Sequence, residues 1–409
     1  MTMKKLFIIL LIVSSVSLII FSEGLRSFDS SLNPILLESI GKRNYFEIEL
    51  SPDIMVYQNA YKVADLLPML TATKFTVDFD DIYASLGADD LFFITNDNVE
   101  GHLVVNIFDL GVGVVLNGDL KSDLTVPNDL IDLIANGNEI DTPDEGTMVF
   151  NLDSSFKAGA YASYNFDGMS VGLVYNLFLP IVYTKESNTN IGYVFSTDTV
   201  EGTTTAELNM NVDLYSPFNS DELDSITFNT ITDKFLTDAG HSIDAGVTFG
   251  EIKNPVVGIA VKNIMVKPAK ISYKISYQET ISVLGEDDED SDSSTPTEVL
   301  VDEEYLYPMS VTGFFRIPVV FLDIIPYGEF YVDNQKIDWG VQAKTSLFNF
   351  IPLSVGVENY YGYWNTFLGF GINSRIVESR TELSLTAKDL EKIFDLNGFT
   401  FKSSFAIGF

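Results

Sequence analysis

The last thirteen residues of the chain, Asn397 to Phe409, alternate with a period of two. One parity carries Phe399, Phe401, Ser403, Phe405, Ile407 and Phe409; the other carries Thr400, Lys402, Ser404, Ala406 and Gly408. A strand sends these sets to opposite faces, so the stretch predicts a strand with one greasy face and one small or polar face. Similar alternation recurs over 45–50, 74–79, 102–119 (kinked or broken at Gly111 and Gly113), 147–164, 169–183, 203–215 and 241–250. It continues over 256–265, 270–283, 304–316, 320–333, 336–347, 351–362, 365–376 and 378–387. Asp167-Gly168 is a hairpin signal between two of these runs. Residues 127–135 read differently: Leu130, Ile131, Leu133 and Ile134 recur at helical spacing and Asn136-Gly137 supplies the stop. That helix is expected to cap a loop, with a plug in a barrel mouth as the alternative.

Many strands of about ten residues, period two and little helix predict an all-β chain: a transmembrane antiparallel β-barrel of about 14–16 strands with one short helix in a loop. A soluble sandwich competes for any single strand. Counting back from Phe409 at a periplasmic rim, short connections at 165–168, 265–270, 316–319, 347–350 and 376–378 fall inside. Longer ones at 185–202, 284–303 and 388–398 fall outside, and only 216–240 lands inside against the rule. The same bookkeeping sets Tyr331, Trp339, Tyr360, Tyr361, Tyr363, Trp364 and Phe367 near the outer rim, and Phe321, Phe348, Phe350 and Phe409 near the inner one. Aromatic girdles at two water interfaces would look like this; core packing is the alternative for each ring singly.

Composition supports the same class. The chain is 46% hydrophobic, with a mean hydropathy of +0.17, yet carries net charge −34. A lipid-facing outside with charged loops and lumen reconciles those figures. Lys4 and Lys5, the apolar run from Leu6 to Phe21 and the exit Ser22-Glu23-Gly24 describe a cleaved secretory signal over 1–24, leaving the barrel over 25–409. The run is short of the roughly 20 residues a spanning helix needs. Cysteine is absent, which removes disulfides, thiolate metal sites and a lipid-modified cysteine. With 58 carboxylates against 24 cations, nucleic acid is an unfavourable partner.

Little in the chain speaks of catalysis. No Gly-x-Ser-x-Gly, phosphate loop or dinucleotide fingerprint is present, so the chain is expected not to be an enzyme and to need no cofactor. His102 and His241, the only histidines, have no metal-ligand spacing and read as rim residues. The acidic external loop 284–303 holds the densest charge run, 286–298; a solvated loop is expected there, with a loosely bound divalent cation such as Ca²⁺ as the alternative. Asp213, Asp244, Glu329, Asp338 and Glu358 are isolated acids within strand patterns and are the candidate lumen acids.

Two resemblances add to this reading. Lys402, Ile407 and the terminal Phe409 resemble the C-terminal assembly signal of outer-membrane barrels, with Ser404 where that pattern usually has Gly. Ser31-Leu32-Asn33-Pro34, Tyr45-Phe46-Glu47-Ile48, Ala135-Asn136-Gly137-Asn138, the pair 156–174 and Gly258 to Ile264 resemble outer-membrane barrels related to the long-chain fatty acid transporter type and its secretion-associated cousins, as found in toga-sheathed thermophilic bacteria. The resemblance implies about 14 strands and an outer-membrane address, and carries over no catalytic or ligand-binding residue; membrane lipid and the barrel-assembly machinery are the expected partners. No N-terminal hatch of the fatty-acid-transporter kind is evident in 25–72. The expected function is therefore a porin-like passive channel for small, cationic solutes. Alternatives are passage of hydrophobic molecules through a lateral opening, and a structural envelope barrel or partner of a secreted protein.

Overall fold

The structure, a computed structural model, describes residues 46–60, 79–87, 89–137, 144–198, 203–251, 254–284, 296–347, 350–374, 376–395 and 397–408. The signal segment 1–24, the lead-in 25–44, the run 74–78, residues 285–295 of the acidic loop, Phe348 and Phe409 lie outside them. All the strands among the described residues join one 18-stranded antiparallel sheet.

The sheet closes. β1 (Phe46–Gln58) pairs with β2 (Leu91–Ile107) on one edge and with β18 (Gly398–Gly408) on the other. From β2 the ring continues through β3 (Leu110–Val126), β4 (Asp144–Phe166) and β5 (Met169–Asp198), then β7 (Gly240–Glu251) and β8 (Asn254–Lys267). It returns through β11 (Ser310–Phe315) with its short continuation β12 (Ile317–Val319), then β13 (Leu322–Tyr331), β14 (Ile337–Leu347), β15 (Ile351–Tyr360), β16 (Tyr363–Asn373) and β17 (Val377–Ala387). With β11 and β12 counted as one strand interrupted at Arg316, the ring has fourteen members, within the expected range. An even number is what an all-antiparallel closure requires.

Three strands stay out of the ring. β5 is 30 residues long: Met169 to Phe178 pairs with β7, and beyond Pro180 the strand runs on to pair with β6 (Thr203–Ser216). β6 pairs with β9 (Ala269–Leu284), and β9 with β10 (Thr297–Tyr305). This outgrowth corrects the parity count made from the sequence. Treating β6 and β9 as crossings pushed 216–240 to the short-turn rim and 265–270 likewise; both are at the opposite rim. The short connections are instead those from β2 to β3, β4 to β5, β7 to β8, β12 to β13, β14 to β15 and β16 to β17.

Burial is inverted relative to a soluble protein. On β18, Phe399, Phe405 and Ile407 are 41–50% exposed, while Thr400 and Ser404 are 1–2% exposed. Val355, Leu368 and Leu383 sit side by side across β15, β16 and β17 with their side chains outward. Ser354, Glu358, Asn365, Arg380, Glu382 and Ser384 on the same strands are buried within. An apolar outside around a polar inside is stable only where hydrocarbon is the solvent.

Local departures have local causes. β1 runs on past the predicted 45–50 through Ser51-Pro52, because Pro52 falls where the ladder to β18 skips two residues and no N–H is needed. The 102–119 stretch is two strands: the hairpin turns at Phe108-Asp109, with Phe108 at φ 58°, before the glycines blamed for a break. The expected helix is α2 (Asn128–Asn136). It packs with α1 (Phe79–Leu86), which the sequence reading missed, through Ile82, Leu86, Val126 and Ile131. Together they cap the long-loop rim. α3 (Ser220–Asp224), with a capping box between Asn219 and Glu222, and α4 (Phe228–Thr237), capped by Thr227, return the chain from β6 to β7. A 3-10 helix (Leu390–Asp395) joins β17 to β18.

Candidate functional site: a charged chamber inside the barrel

Because inward positions of the ring are polar, the upper lumen forms a chamber of about 310 Å³ lined largely by ionisable and tyrosine side chains. Seven carboxylates (Asp53, Glu100, Asp119, Asp244, Glu329, Asp338 and Glu358) face four lysines (Lys121, Lys157, Lys262 and Lys402) across it. The lining therefore carries an excess of negative charge.

Four of the five candidate acids are in this wall, and three of those are held by lysines. Glu358 on β15 accepts from Lys402 of β18 (3.3 Å), from the Tyr327 hydroxyl (2.6 Å) and from Asn365 (3.2 Å). Lys402 also stands 3.7 Å from Asp53. Glu329 on β13 meets Lys262 of β8 at 3.0 Å and accepts from Ser310 of the intervening β11. Asp244 on β7 accepts from Lys157 (3.4 Å), Asn176 (2.9 Å) and the backbone N–H of Asn263 (2.6 Å). A β-bulge makes the last bond possible: β7 and β8 lose register at Asp244, and Asn263 takes a positive φ of 57°. Asp338 accepts from the backbone N–H of Tyr361. Asp213 is the correction. It belongs to β6 in the outgrowth, where Lys274 (2.7 Å) and Ser276 (2.6 Å) engage it, and it does not line the chamber.

Two tyrosines cross the chamber's mouth to β3. Lys121 of β3 donates to the hydroxyl of Tyr361 (2.6 Å) in the β15–β16 turn on the nearly opposite wall. Tyr307, entering between β10 and β11, donates to Asp119 of β3 (2.6 Å) and packs edge-on against Phe178. Tyr331 and Tyr360 stand beside Tyr361, with ring centres 6.3 and 4.4 Å away.

These rings revise the outer girdle expected from the sequence. Tyr331, Tyr360 and Tyr363 share the inward parity of Glu329, Glu358 and Asn365, and Tyr361 leans over the lumen; Tyr363 lies against the buried Tyr57. Phe367 is likewise buried inside. Trp339 and Trp364 do face outward, in edge contact across β15. At the short-turn rim Phe108, Val320 and Phe321 are strongly exposed, and Phe350 occupies the β14–β15 turn. The histidines separate too. His241 faces outward and bonds Tyr175, whereas His102 is buried inside the wall of β2 rather than at a rim.

Of the assembly-signal residues, Ile407 faces outward and Lys402 is a chamber residue. Sequence reasoning missed Lys121, Lys157, Lys262, Asp53, Glu100, Asp119 and Tyr307, and named Lys402 only as part of the assembly signal. A charged residue at the parity opposite to an apolar stripe was the available signal for Lys157 and Lys121. Tyr307 lies between strands and carried no such signal.

Among known structures, the toluene transporter TodX of P. putida superposes over 95% of this chain and 96% of its own, with a TM-score of 0.52 at 10% identity. The fold is that of an outer-membrane β-barrel. The toluene transporter TbuX of Ralstonia pickettii (TM-score 0.33, 8% identity, 93% of this chain and 92% of that one) is more distant. So is the translocator domain of autotransporter NalP from Neisseria meningitidis (0.30, 6%, 93% and 98%). No family model matches the sequence, and no curated protein matches it.

Proposed function

We propose that the chain is an outer-membrane channel through which small polar solutes, cations before anions, pass by diffusion. In this reading the short turns are periplasmic and the long-loop rim is external. Export uses the signal over 1–24, and the barrel-assembly machinery reads the C-terminal strand; membership of the fatty-acid-transporter-like group rests on the sequence resemblance. The observation that carries the proposal is the chamber, whose carboxylates outnumber its lysines seven to four. In a narrow, low-dielectric lumen such an excess favours cations over anions without any chemistry. Purified protein in a planar bilayer under a KCl gradient should conduct and give a cation-selective reversal potential that weakens at high salt. Absent conductance, or anion selectivity, sinks this reading.

A second reading draws support from one seam. The β8–β11 ladder stops at Lys262 and Ser310, while β8 continues to Lys267. Outward-facing Ile264 and Val266, with Leu306 on the approach to β11, border the place beside the chamber where pairing ends. TodX is described as a toluene transporter, and an apolar solute could leave sideways through such a seam. Uptake of labelled toluene into proteoliposomes without ion conductance would select this route over the first.

A further inference from the structure

One step from the chamber toward the short-turn rim, β1 and β2 bring two carboxylates and an imidazole together. Glu47 and Glu49 are two residues apart on β1 and both are buried inside; the β1–β2 register sets His102 opposite Glu49. His102 Nε2 lies 3.4 Å from Glu49 Oε2 and 3.9 Å from Glu47 Oε1. One donor atom from each of the three side chains falls within 4.8 Å of the other two. The three residues are only 2–4% exposed. Ser51 donates to Glu49 Oε1, but Glu49 Oε2 and His102 Nε2, both aimed into the cluster, make no hydrogen bond among the described residues. Adjacent buried carboxylates repel, and one imidazolium offsets only one of their two charges. A divalent cation offsets both and gives the two open donor atoms a partner.

We propose that Glu47, Glu49 and His102 bind one divalent transition-metal ion of the Zn²⁺ coordination class. Tetrahedral bonds of about 2.1 Å place donors about 3.4 Å apart, which the His102–Glu49 pair already meets. The Glu47 oxygen, 3.9 Å from His102 Nε2, is about 0.5 Å beyond that spacing. One nitrogen and two oxygens with a position left for water suit Zn²⁺ or Co²⁺; Ca²⁺ and Mg²⁺ prefer oxygen alone. Asp53 and Glu100, further along the same two inward faces, line the chamber and give the ion a carboxylate-bordered approach. The site stands whether or not the barrel conducts.

The test uses the full chain folded in detergent, stripped with a chelator and titrated with Co²⁺ alone. The expected result is one equivalent with the strong visible absorption of a four- or five-coordinate ion, displaced by Zn²⁺. His102→Gln and Glu49→Gln should each abolish that signal while keeping the strand circular dichroism and heat-modifiable gel mobility of a folded barrel. Co²⁺ gathered by the acidic stretch 286–298 would stay six-coordinate, absorb faintly and persist in both variants. A wild-type titration without the strong band overturns the site even if a variant fails to fold. So does a band that survives both substitutions in folded protein.

Discussion

At the scale of single residues, three of the chamber's lysines each meet a carboxylate, and the carboxylates in excess of them leave the lining negative. Lys402 illustrates the cost of separating such a pair: its ammonium serves Glu358 and Asp53, and lies over the Tyr360 ring. Breaking a buried pair by removing one partner leaves an uncompensated charge and costs about 3–5 kcal/mol, less where water reaches it. Lys402→Met should therefore destabilise the folded barrel by about 2–4 kcal/mol in denaturant titration in lipid. Adding Glu358→Gln should recover part of that loss, and strict additivity of the two substitutions would show that the groups do not interact. The mouth offers a functional readout. Lys121 and Tyr361 form a bond between nearly opposite walls, so Lys121→Ala or Tyr361→Ala should raise single-channel conductance at constant protein amount. Unchanged conductance in both would mean that the narrowest point lies elsewhere. Tyr361 sits at a positive φ of 52°, next to Gly362 at 83°, so the alanine variant keeps the same unfavourable backbone and the comparison isolates the ring.

At the scale of elements, the strands are held by two different solvents. Leu368 faces outward in register with Val355 and Leu383, at the middle of its strand and far from either rim. Leu368→Arg should cost about 2–4 kcal/mol of folding free energy in phospholipid, the price of a guanidinium at the bilayer midplane. Ser354→Arg would instead test lumen packing, since Ser354 already accepts from the buried Arg380 (2.9 Å). Equal effects in lipid and in a lipid-free aqueous buffer would contradict a hydrocarbon-facing Leu368. Above the ring, β6, β9 and β10 form an element of another kind. An aromatic knot of Tyr183 from the β5 extension, Tyr215 and Tyr305 packs on Ile271, and Tyr305 donates to Asp153 of β4, tying the outgrowth to the wall. The sequence could not distinguish these strands from ring strands, because a strand shielded by neighbouring side chains and one shielded by lipid alternate alike.

At the scale of the whole molecule, the chain is a closed cylinder with its apolar stripes outward and its charges inward. The alternation of the strands and the polarity of each face were set by the sequence, since a period of two assigns every side chain to one face or the other. Phe399, Phe405 and Ile407 against Thr400 and Ser404 show this most plainly. The helix at 128–136 was legible for the same reason, its apolar residues recurring at 3.6 rather than 2. What only the tertiary structure decided is which strands enter the ring and which residues meet across it. Fourteen ring strands and a three-strand outgrowth depend on where β5 changes partner from β7 to β6. The meeting of Lys121 with Tyr361 depends on closure of the ring, and that of Lys262 with Glu329 on β11 lying between β8 and β13. Local periodicity records the face of a side chain, whereas its partner across the lumen is fixed by strand order and register, which residues hundreds of positions apart settle together.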